Sequence, residues 1–92
     1  MNMQVVDAIA NEVGGYEHII GIRMANGTKF YFGRYILKEE DFVNMGGLDI
    51  LKLKHKDCLG RDAISYLDVD EIVHVFTIAD LEKGITLRDI LD

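Results

Sequence analysis

The sequence predicts a mainly β fold with some helix: a short N-terminal helix, five antiparallel strands bent strongly into a small barrel, and short C-terminal helical turns. Three stretches carry this expectation. Residues 3–13 (MQVVDAIANEV) place apolar side chains at helical spacing and run into Gly14-Gly15. Residues 19–32 (IIGIRMANGTKFYF) set two β-branched and aromatic runs around Asn26-Gly27, a strong short-range hairpin signal. Residues 50–56 (ILKLKHK) alternate apolar and basic side chains, the two-residue period of a half-buried strand. One domain spans residues 1–92, with a helix at 3–13, the barrel at 18–78 and a helical tail at 79–92.

Composition narrows the class further. With 92 residues, 49% of them apolar, and no proline, the chain can bury one modest core and reads as an ordered globular protein. The lone Cys58 has no intramolecular disulfide partner and supplies no paired-cysteine metal pattern, which suits a reducing cytoplasm. No apolar run approaches the roughly 20 residues of a membrane helix, and no signal segment is evident, so no membrane role is expected. The net charge of −6 is unevenly spread. Residues 23–61 hold eight basic and five acidic residues, a net of +3, whereas residues 62–92 hold two basic and eight acidic ones, a net of −6. Such polarity suits an unlike protein partner or copies meeting head to tail, and argues against the whole domain gripping a polyanion.

In the helix, Val5, Val6, Ile9 and Val13 form the apolar stripe, and Gly14 is the expected left-handed cap. In the hairpin the apolar pattern selects the loop. A two-residue turn would set Phe30 opposite the charged Arg23. A three-residue loop, Ala25-Asn26-Gly27 with Gly27 left-handed, pairs Met24 with Thr28, Ile22 with Phe30 and Ile20 with Phe32. That register gathers the large aliphatic side chains and both Phe rings on one face and leaves Gly21, Arg23, Lys29 and Tyr31 on the other. A bend at Gly33 then turns Tyr35 and Leu37 inward along one long second strand. Residues 38–47 read as a loop with one helical turn. In the next strand Leu51 and Leu53 face in while Lys52, Lys54 and Lys56 face out. Asp57–Gly60 is a turn with Gly60 left-handed, residues 62–67 return, and Asp68-Val69-Asp70 makes a very short connection to a last strand at 71–78. That strand is apolar on both faces, with Ile72, Phe76 and Ile78 on one and Val73 and Val75 on the other, so both faces need cover. Short helical turns follow at 80–83 and 86–91, the second with Thr86 and Asp89 spaced as a capping-box variant.

This order resembles the Sm-like (SH3-like) small barrel. Ile20, Ile22, Met24, Asn26-Gly27, Phe30, Gly33, Asp41 and Asn44 stand in the order of that family's first motif. The resemblance implies two things: contact between the fifth strand and the fourth strand of a neighbouring copy, and an RNA-base contact at Asn44. The basic residue followed by Gly that completes the family's base pocket has no counterpart in Tyr66-Leu67-Asp68-Val69-Asp70.

Catalytic signatures are not expected. The sequence has no G-x-S-x-G, H-E-x-x-H, Walker or G-x-G-x-x-G pattern, and His18, His55 and His74 fall on separate elements. No enzyme activity, cofactor or metal site is therefore expected; Asp68, Asp70 and Glu71 read as a solvated turn. Two candidate surfaces remain. Ile72, Val73, Val75 and Phe76 are the candidate interface for a second copy or protein partner. Arg23, Lys29, Tyr31, Asn44, Lys52 and Lys54 are candidate nucleic-acid or anion contacts, Tyr31 offering a stacking platform. The first reading is a non-enzymatic assembly or adaptor module; the alternative is an Sm-like RNA-binding protein.

Overall fold

The structure, a computed structural model, describes residues 1–33 and 35–82. Helix α1 (Met3–Val13) is followed by strands β1 (Ile19–Met24), β2 (Lys29–Tyr31), β3 (Phe42–Met45), β4 (Leu48–Lys56), β5 (Asp62–Asp68) and β6 (Ile72–Thr77), and by the short helix α2 (Ile78–Glu82). Single 3₁₀ turns lie at Tyr16–His18, Glu39–Asp41 and Val69–Glu71. The strands form two three-stranded antiparallel sheets, ordered β2-β1-β6 and β3-β4-β5. The second predicted C-terminal turn and the Thr86–Asp89 cap lie outside the described residues.

The helix has the predicted bounds because both ends are chemically marked. The Asn2 side chain accepts a hydrogen bond from the Val5 amide at 3.0 Å, and the Gly15 amide donates to the Ala10 carbonyl at 2.8 Å past Gly14, whose φ is +95°. The predicted stripe is turned slightly. Val6 and Ala10 are buried, with Met3 and Ile9 packed beside them, while Val5 faces solvent. Positions 3, 6, 9, 10 and 13 make the better helical face, and the small Ala10 lets the helix approach the core closely.

The first hairpin has the predicted register. Ile22 lies opposite Phe30 and Arg23 opposite Lys29. The Met24 amide donates to the Thr28 carbonyl at 2.8 Å, the Gly27 amide to the Met24 carbonyl at 2.9 Å, and Gly27 has φ +90°. This is the three-residue loop with a left-handed glycine.

The long bent second strand does not form. β2 ends at Tyr31, Gly33 adopts φ +62°, and the Tyr35 amide closes a turn on the Phe32 carbonyl at 3.0 Å. Leu37 is buried as predicted, while Ile36 is exposed. The chain then re-enters a sheet as β3, where a loop was expected. Gly46 and Gly47 both have positive φ, +61° and +87°, so they form a two-residue hairpin turn whose twist matches the flanking strands. Glycine supplies that geometry as readily as the Asn-Gly pair of the first hairpin. Among the described residues there are therefore six strands, not five, in two open sheets. Closure stops because β3 pairs only with Leu48–Leu51 of β4, leaving the rest of that edge of β4, like the outer edge of β2, without a strand partner among the described residues.

The last strand corrects the predicted alternation. Met24 pairs with Ile72 and Arg23 with His74, so Val73 is an extra residue. Ile19 pairs with Thr77 and Gly21 with Phe76, so Ile20 is an extra residue on the opposing strand. These two irregularities let Ile72 and Val75 both enter the core, together with Ile19 and Ile22, while Val73 projects outward. Leu51, Leu53, Val69 and Leu37 complete the core from the second sheet and its connections.

Candidate interaction surfaces

Three of the four candidate interface side chains are committed within the chain. Ile72, Val75 and Phe76 are 1%, 9% and 7% exposed, whereas Val73 remains 47% exposed. Ile72 and Val75 belong to the core. Phe76 lies opposite Gly21 on the other face of the sheet, its ring centroid 4.4 Å from that of His74. What β6 still offers a partner is its outer edge, which carries no strand among the described residues, and the Val73 side chain. The last strand of the other sheet offers a similar surface. β5 also has an edge without a strand partner among the described residues, and Ile64 and Tyr66 are exposed on that strand. The sequence reading passed over these two residues. Their signal is the i, i+2 spacing opposite Lys54 and Lys52.

The six candidate anion contacts do not form one patch. Arg23 and Lys29 are cross-strand neighbours on the first sheet, with Tyr31 two residues further on. Lys52 and Lys54 share the solvent face of β4 with Tyr66 and Ile64 of β5. Asn44 sits in the β3–β4 hairpin, where its oxygen accepts from the Gly47 amide at 3.3 Å and its amide lies 3.5 Å from Asp49. Its side chain is thus engaged in its own turn.

Part of the set meets in a cleft of about 1150 Å³ between β2 and the β4–β5 hairpin. Lys29 and Tyr31 line it from β2, Lys54 and Lys56 from β4. Phe30, Phe32, Tyr35 and Leu53 supply an apolar floor, which the sequence reading assigned simply to the core. Lys56 is ion-paired with Asp62, holding that carboxyl below the usual carboxylate range. Lys54 makes no ion pair with a described residue. Polar groups reach the floor at His55, whose Nε2 lies 2.7 Å from the Ser65 hydroxyl.

The remaining titratable groups serve the fold. The buried Asp41 carboxylate accepts the Lys38 amide at 2.9 Å, capping the 3₁₀ turn. Burial, then a hydrogen bond to Asp41, pushes the Tyr35 hydroxyl up to about 12, so it remains a donor to that carboxylate. His18 bonds the Val13 carbonyl beside the helix cap. Among the described residues no three His, Cys, Asp or Glu side chains converge in a way that could hold a metal, and no helix is long and apolar enough to cross a membrane. No family model, curated protein or solved structure matches the chain.

Proposed function

We propose that this protein is a non-enzymatic assembly module, an open two-sheet relative of the Sm-like barrels, that works by assembling with copies of itself, the outer edge of β6 in one copy pairing with the outer edge of β5 in the next. The observation that carries the reading is the state of β6: an edge strand with a bulged, half-exposed Val73 and every other apolar side chain already buried. Unpaired strand edges associate unless they are blunted by charge, proline or cover. The N-terminal ammonium donates to the Ile72 carbonyl at 2.7 Å at the start of β6, and beyond it His74 is the one polar residue before Phe76. β5, whose edge would receive it, carries the exposed Ile64 and Tyr66. The contact is heterologous, head to tail, and closes only if the rotation allows.

The resemblance to Sm-like barrels supports the same reading. β2 and β3 correspond to two halves of one bent strand, and the 3₁₀ turn at Val69–Glu71 takes the minimal connection before the last strand. The exposed thiol of Cys58 suits a reducing cytoplasm. RNA binding draws less support, because Asn44 is tied to its own turn and the basic residues are divided between two sheets. Amide hydrogen exchange tests the assembly. Raising the protein from micromolar to near-millimolar concentration should slow exchange at outward-facing amides of β5 and β6 but leave those of β1 unchanged. Concentration-independent exchange at both edges would refute it.

A further inference from the structure

The cleft between β2 and the β4–β5 hairpin is bordered by the edges of β2 and β4, which differ from those assigned to self-association, although Ile64 of β5 lines it too. Its role rests on β2 and β4 alone. We infer that it is a peptide site: it receives an extended acidic segment of a partner protein, with apolar side chains at alternate positions, by strand addition. Two walls of the cleft carry strand edges with no strand partner among the described residues, although the Lys56 carbonyl lies 3.0 Å from His55 Nδ1. β2 has β1 on one side and no strand on the other, and residues 52–56 of β4 have β5 on one side and no strand on the other, among the described residues. Residues of both segments line the same cavity. An extended chain is the ligand whose own N–H and C=O groups satisfy such edges, and five residues at roughly 3.3 Å each match the run from Lys52 to Lys56.

The side chains state the rest of the specificity. In an extended peptide successive side chains point to opposite faces. One set would rest on Phe30, Phe32, Tyr35 and Leu53, which accept apolar groups. The other would face the solvent side, where Lys54 and Lys56 stand. Lys56 already holds Asp62. Lys54 does not hold a described carboxylate, so an incoming acidic side chain meets a cation without displacing another. A polyanion fits less well. Nucleic-acid affinity grows with the number of phosphates neutralised, and this chain carries a net charge of −6 with few cations at the cleft. One or two carboxylates are what the rim can match.

Fluorescence polarisation on the full chain tests this with five labelled probes: a hexapeptide alternating glutamate and valine, its lysine–valine counterpart, the acidic peptide with alternate backbone nitrogens methylated in each of the two phases, and hexauridylate. The acidic peptide should bind saturably, and the basic one at least tenfold more weakly. Methylation should weaken binding tenfold or more on one of its two possible phases, because only strand pairing needs those N–H groups. Lys54→Glu, on a solvent-exposed side chain, should weaken the acidic peptide by a similar factor and improve the basic one. The methylated probes need no protein variant, so they decide the matter even if Lys54→Glu fails to fold. Absence of saturable binding by the acidic peptide, insensitivity to methylation on both phases, or tighter binding of hexauridylate would overturn the inference.

Discussion

The hairpin joining β1 to β2 and the one joining β4 to β5 turn in the same way and are fastened in different ways. In the first, the Met24 amide bonds Thr28 and the Gly27 amide bonds Met24; in the second, the Asp57 amide bonds Arg61 at 2.9 Å and the Gly60 amide bonds Asp57 at 3.0 Å. Both loops place a left-handed glycine in the same position, with φ +90° and +77°. Below the loop they diverge. Met24 and Ile22 anchor the first hairpin in the core, whereas the second is held at its tip by exposed pairs, Lys56 with Asp62 and Arg61 with Asp57. Turn geometry is therefore a local property of the glycine, while rigidity is set by what the strands bury. These hairpins form the two walls of the cleft, and both reach the core, the second through Leu51 and Leu53. The first is packed up to its loop, while the tip of the second is tied by charges that water screens.

The largest effect should come from the core-fixed wall. Ile22→Ala removes a side chain that is 2% exposed and should cost about 2–5 kcal/mol in chemical denaturation. A loss comparable to that of an exposed substitution such as Tyr66→Ala would show that the first hairpin is not the anchor. Next, the loops should respond alike. An added Cβ meets nothing within 4 Å at Gly27 or at Gly60, so Gly27→Val and Gly60→Val cost only the strain of a β-branched residue at positive φ, about 1–3 kcal/mol each. Unequal losses would break the claim that turn geometry is local.

Titration sharpens the contrast at smaller scale. Tyr35 has a raised value, so the folded state favours its neutral form: that contribution is complete below about 10 and is lost as pH rises through about 12. Tyrosinate absorbance should show two late ionisations, since burial and a hydrogen bond to Asp7 raise the Tyr16 hydroxyl further still, and Tyr35→Phe should remove the earlier of the two. Asp62 has the opposite sign. Its hydrogen bond and charge contact with Lys56 lower its value, so the stabilisation is present above the ordinary carboxylate value near 3.9 and is lost as pH falls below it. Lys56→Ala should return the Asp62 carboxyl to the ordinary range in a carbon-detected NMR titration, with little change in stability because both groups are exposed. An unchanged Asp62 titration would mean that the charged tie across the second hairpin is absent in solution.

What the sequence made legible follows the same division. Helix α1, the register and loop of the first hairpin, the inward Leu51 and Leu53 and the left-handed Gly60 could all be read because local periodicity and glycine position determine them. β3 was not legible: Phe42–Met45 lacks clean alternation and its Gly46-Gly47 turn looks like any flexible pair until the flanking strands are known. The two irregularities at Ile20 and Val73 were hidden because each shifts parity in one strand only when matched by the other. That is why Ile72 and Val75, assigned to opposite faces, share the core. The cleft was invisible for a related reason. Phe30 and Phe32 read as core residues in the register that the apolar pattern selects, and only the failure of β2 to meet β4 leaves them lining a groove.

The central claim is that the edge of β6 is completed by another copy, and molar mass measures it most directly. Light scattering on the eluting protein at micromolar concentration should give a mass several times that of the 10.4 kDa chain. Val73→Lys, which puts a charge in the contact without touching the core, should lower that mass while leaving the far-ultraviolet circular dichroism unchanged. A wild-type chain that elutes with the mass of one copy would contradict the account.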